Sequence, residues 1–163
     1  MGLEKDGIRD VNKNYGVRET NGKYGGVTDG DSWIKTAVWD FTYNDLPDAG
    51  ATDQEHIIPA GSTIVSAHLR IVTAFTSSST TTDLDIGLQQ ADGTEIDNNG
   101  LISASDATQA TIAVAGAYIA GTGALIGKIS DATYNGELVV TPNVADLTAG
   151  RGQVVVKYIP PAV

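Results

Sequence analysis

From Val65 to Phe75 the chain alternates. Val65, Ala67, Leu69, Ile71, Thr73 and Phe75 take one side, and Ser66, His68 and Arg70 take the other. Successive side chains of an extended backbone point to opposite faces, so this period builds a strand with one apolar and one wet face. Such a strand has to bury its apolar side against another layer, as in a half-buried antiparallel sheet. The pattern recurs along the chain. In SWIKTAVWDF, Trp33, Ala37, Trp39 and Phe41 share a face opposite Ile34, Thr36, Val38 and Asp40. Leu84, Ile86 and Leu88 alternate with Asp83, Asp85, Gly87 and Gln89. GELVVTP and GQVVVKYI supply two closing strands, and Pro160-Pro161 ends further pairing.

The connections carry turn chemistry. Pro59-Ala60-Gly61-Ser62 turns the chain into the long strand, and ADG after Gln90 sets a hairpin whose short return is TEID. NDLPDAGATDQE and TSSSTTTD are polar and predict loops. ATIAVAGAYIAGTGALIGKIS admits strands near Thr111–Val114 and Leu125–Ile129 around a loop at Gly121–Gly123. A helix over Ala107–Ala115 is the other option there, weakened by its Thr and Val. Seven or eight short strands with almost no helical period predict an all-β, antiparallel β-sandwich, with a jelly roll as the preferred topology.

The first 31 residues differ. They hold seven glycines, little apolar material and neither period. They cannot bury enough apolar surface to offset their own ordering entropy. Such a segment is either a disordered terminus or an arm that orders on a partner. Its alternating aromatics and bases favour the arm, so the expected organisation is an extended N-terminal arm, 1–31, followed by a sandwich domain, 32–163. The arm carries a loose echo, NYGVR against KYGGV, which spaces aromatic and basic side chains with glycine.

Charge separates the same two segments. The net charge is −10, yet residues 1–31 hold five bases and six acids, against five bases and fourteen acids in the rest. An acidic body argues against nucleic-acid binding, where phosphate neutralisation supplies most of the affinity. There are no cysteines, so disulfides, thiolate metal sites and thiol catalysis are excluded, and the chain can fold in a reducing cytoplasm. No apolar run reaches the roughly 20 residues of a spanning helix, and no membrane association is expected. The opening MGLEKDGIRD is charged, without the apolar core of a secretory leader.

A search for chemistry finds isolated pieces. Asp53, Glu55 and His56 lie together in TDQEH, but in a predicted loop without the rigidity that metal ligands need. His68 falls on the wet face of its strand. Asp83 and Asp85 point to one side, roughly 7 Å apart. With Asp92, Glu95 and Asp97 they make the strongest calcium candidate, although the run lacks EF-hand spacing. Trp33 and Trp39 share a face with Ala37 and Phe41, so they belong to a core or an interface. Their exposure would favour a carbohydrate-binding module instead. No nucleophile elbow or phosphate loop occurs. No catalytic residue, metal or cofactor is assigned, and a structural or binding role is expected.

GVRETNGKYGG, IPAGSTIVSAHLRIVTAF, DLDIGLQQADGTEID, GTGALIG and the final GQVVVKYI resemble the decoration, or cement, proteins of tailed bacteriophages. The resemblance implies a glycine-rich arm before a β-sandwich that ends in a V-x-V-x-Y-like strand. It also implies a virion protein on the capsid exterior, made in the host cytoplasm, often trimeric, that braces neighbouring major capsid proteins. The partners expected are therefore the major capsid protein and further copies of the chain. The family brings no catalytic residue. On local chemistry, Tyr15, Val17, Arg18, Tyr24 and Val27 are the capsid-contact candidates. Head-fibre or tail components and other carbohydrate- or receptor-binding sandwich modules are the alternative.

Overall fold

The computed structural model describes residues 34–46 and 51–161, with backbone alone over 51–56. Trp33 and the five arm candidates lie outside these residues. The described residues form eight strands and a short helix in the order β1 (Lys35–Thr42), β2 (Ala51–Ile58), β3 (Thr63–Ser77), β4 (Leu84–Gln89), β5 (Glu95–Ile102), α1 (Gln109–Ile112), β6 (Tyr118–Ala120), β7 (Gly136–Pro142) and β8 (Leu147–Ile159). Two four-stranded sheets result, β1-β8-β3-β6 and β2-β7-β4-β5. Every pairing is antiparallel. The partners nest, β1 with β8, β2 with β7, β3 with β6 and β4 with β5. One long hairpin folded over on itself gives that nesting, which is the eight-stranded jelly roll.

The inner faces are the apolar faces set by alternation. Ala37, Trp39 and Phe41 of β1 meet Ala67, Leu69, Ile71 and Phe75 of β3 and Val154 and Val156 of β8, all buried. Leu84, Ile86, Leu88, Leu138 and Val140 close the core from the second sheet. Each fully buried aliphatic side chain here contributes about 1.5–3 kcal/mol relative to exposure. The aromatic centre is continuous. Trp39 and Phe41 lie 5.4 Å apart and Phe41 stacks on Phe75 at 5.6 Å. With its ring in this core, Trp39 is no sugar platform.

Several expectations are corrected. The span from Ala51 is the strand β2, not a loop. It sits at an edge of its sheet and changes register between Asp53 and Ile57. Val65 and Thr73 do not share the buried face. Register shifts at Ile64/Ser66 and around Thr73 put Ile64 inside and leave Val65 and Thr73 exposed. An extra residue reverses the side on which every later side chain falls until another restores it. The return strand β5 is longer than TEID. Thr111 and Ile112 belong to α1, and the strand in this region is Tyr118–Ala120. Leu125–Ile129 turns rather than extends. Ile126 N–H donates to the Gly123 carbonyl and Lys128 N–H to that of Leu125, and only Ile129 makes a bridge, to Thr63.

Candidate functional site

The carboxylates singled out for calcium are held by the protein's own donors. Asn143 follows β7. Its side-chain amide donates to Asp83 Oδ1 at 2.9 Å and Asp85 Oδ2 at 2.8 Å, and its backbone N–H donates to the Asp83 carbonyl. Asp85 Oδ1 accepts the Ala104 N–H at 2.6 Å. Asp83 and Asp85 do lie together, as their spacing predicts. The arrangement fastens β4 to the segments that follow β5 and β7. Asp92 Oδ1 accepts the Thr94 N–H at 2.9 Å within the β4–β5 turn. Glu95 and Asp97 lie along β5, where they accept the N–H groups of Asn98 and Asn99 at 3.4 Å. Among the described residues no three His, Asp or Glu side chains converge as metal ligands. The side chains of Asp53, Glu55 and His56 are not among those described; their backbone lies in a paired strand.

Two further aspartates tie loops. Asp106 accepts from the Ser103 N–H and hydroxyl at 3.1 and 3.2 Å, and from the Thr122 N–H and hydroxyl. Burial works to raise its pKa, but the donations from Thr122 and Ser103 outweigh it and hold the carboxyl below its ordinary value. At Asp131 the N–H groups of Tyr134 and Thr133 lower it, and at Asp92 the Thr94 N–H does. A carboxyl whose pKa is depressed by folding stabilises the fold above its unfolded pKa. That contribution is lost as pH falls through the folded value. Thermal stability is therefore expected to decline below about pH 4. Asp106→Asn is expected to cost about 1 kcal/mol at neutral pH, roughly 3 °C in Tm, and to flatten part of the acid decline. Melting followed by circular dichroism at both pH values checks this; an unchanged acid limb would remove Asp106 from the account.

A shallow hollow of about 340 Å³ lies between the β4–β5 turn and Tyr134-Asn135, lined by Gln90, Ala91 and Asp92. Glu137 is buried opposite Gln89 in the register, with Oε2 lacking a hydrogen-bond partner.

What the fold does present is a broad outer face on the β1-β8-β3-β6 sheet. Register sets its rows. Val38, Val155, His68 and Ala120 lie in one, and Asp40, Gln153, Arg70 and Tyr118 in the next. Thr36, Lys157 and Ser66 flank them on one side, and Thr42 and Arg151 on the other. His68 is where alternation puts it, on the wet side. Its ring lies 4.9 Å from that of Tyr118. Burial lowers its pKa and nearby Lys157 adds to that, against a smaller opposing effect of the Ala67 backbone. Asp40 accepts from Gln153 at 3.2 Å and pairs with Arg151 at 3.6 Å. Sequence reasoning could not find this face, because its members are scattered from Thr36 to Lys157 and only the pairing unites them.

No family model matches the chain, and no curated protein does. Solved structures do share its fold. A chain in the acid-stable capsid of Helicobacter pylori bacteriophage KHP30 superposes with a TM-score of 0.52 at 20% identity, covering 80% of this chain and 90% of that one. A chain of the cyanophage Pam1 capsid asymmetric unit gives 0.55 at 15%, covering 91% and 100%. A chain of the Ralstonia phage GP4 capsid gives 0.51 at 21%, covering 86% and 91%. At these identities the likeness is one of fold.

Proposed function

We propose that this chain is a structural virion protein of a tailed phage that binds the outside of the icosahedral capsid. There it stabilises the mature shell by bridging major capsid proteins. The observation that carries the reading is the likeness to capsid chains of three phages, which spans nearly the whole of each of them. In this reading the jelly roll, 32–163, is the rigid body and associates with itself, as a trimer. Residues 1–31 are the arm that docks on capsid protein through Tyr15, Val17, Arg18, Tyr24 and Val27. An arm that orders on its partner covers a large surface for its length, and several arms on one oligomer multiply the effective concentration at the shell. The chain is made in the host cytoplasm and works without nucleic acid, membrane, cofactor or catalysis.

Co-sedimentation with phage heads tests this. Full-length protein is expected to pellet with mature heads and not with immature ones. A chain beginning at Ser32 is expected to lose most of that binding while keeping its folded spectrum. Equal binding by both chains would remove the arm from the mechanism, and no binding to any head would overturn the assignment.

A further inference from the structure

We propose that the outer face of the β1-β8-β3-β6 sheet receives the acidic β4–β5 edge of a second copy of this chain. The inference rests on the self-association in the reading above, not on capsid binding. The chain's charges are segregated. No lysine or arginine occurs between Arg70 and Lys128, an interval that holds six acids, and three of these, Asp92, Glu95 and Asp97, crowd the β4–β5 hairpin. β5 is an edge strand with one sheet neighbour among the described residues, β4. The Gly123 and Leu125 N–H groups donate to the Leu101 and Gly100 carbonyls and cover its second half. The exposed to half-buried acidic stretch from Glu95 to Asp97 is therefore the part left to a partner. The sheet face is the opposite. Three of the five bases after residue 31, Arg70, Arg151 and Lys157, stand on it with one acid, Asp40.

The face also has the anatomy of an interface. Val38 and Val155 lie side by side at its middle, next to His68 and Tyr118, and Tyr118 is 63% exposed. Bases surround this apolar centre. An apolar centre that is desolvated on contact, inside a polar, solvent-accessible rim, is how specific contacts are built, and Tyr and Arg are among the residue types enriched in them. A body with a large negative charge repels its copies in most orientations. The one that brings the basic face to an acidic edge is attractive, so charge fixes the register of assembly. The contact joins two different surfaces and is therefore heterologous, the kind that closes into a ring when the rotation permits.

Sedimentation velocity on the full chain tests it. The wild type is expected to associate with rising concentration, and to dissociate as salt screens the contact. Arg70→Glu with Lys157→Glu makes the face acidic. Glu95→Lys with Asp97→Lys makes the edge basic. Each double variant alone is expected to associate at least about tenfold more weakly than wild type. Mixed in equal amounts they are expected to associate again, since each now offers what the other lacks. That recovery cannot come from a misfolded pair. A monomeric wild type, double variants that assemble as well as wild type, or a mixture that stays apart would each overturn the contact. Head binding by the truncated chain is read separately, so failure here leaves the capsid assignment standing.

Discussion

Phe75→Ala is expected to lower the unfolding free energy by about 4 kcal/mol, enough to remove much of the stability of a domain this size. Phe75 is fully buried and stacks on Phe41, which packs on Trp39. Its ring sits where β3 and β8 change register between Thr73 and Thr76. Gly150 of β8 passes so close that a Cβ there would collide with the ring and backbone of Phe75, and its φ of +126° is one that side chains rarely adopt. The surroundings are therefore backbone and stacked rings, which collapse poorly into a void. Such sites fall at the costly end of large-to-small substitutions. Val65→Ala, on the same strand but 38% exposed, is the control and is expected to cost less than about 1 kcal/mol. Urea unfolding of both variants measures the difference. A Phe75→Ala loss below about 1 kcal/mol would mean that the aromatic centre does not hold the sandwich together.

How much of this fold is legible in the sequence depends on which constraint sets each element. Where one face is buried and the register runs unbroken, alternation is enough. β1 pairs with β8 from Lys35 to Thr42 without a shift, and Ala37, Trp39 and Phe41 are all inside. Where the ladder slips, alternation misleads, as at Val65 and Thr73. β2 is hidden for another reason. An edge strand needs only one neighbour, so TDQE can be polar and still pair. Gly87 shows the limit from the other side. It looks like one more alternation position, yet β5 crosses so near that any Cβ would collide with the Asp97 carbonyl oxygen.

Site legibility follows the same division. The shared side of Asp83 and Asp85 follows from strand geometry alone. That Asn143 satisfies both does not, because it arrives from 60 residues away. The basic face is a property of the pairing of β1, β8, β3 and β6, and no window of sequence contains it. The arm candidates, Tyr15 to Val27, rest on composition and lie outside the described residues.

The central claim is that this chain acts by holding a mature shell together. A ligand that binds only one state stabilises it, by about 2.7 kcal/mol per site at a hundredfold excess over Kd. Repeated over the many equivalent positions of a shell, that is the largest effect the account predicts. The direct measurement is the temperature at which mature heads stripped of this protein release their DNA, with and without saturating protein added back. Full-length protein is expected to raise it by several degrees, and the chain beginning at Ser32 to leave it nearly unchanged. Protein that saturates the heads and leaves the release temperature where it was would contradict the account.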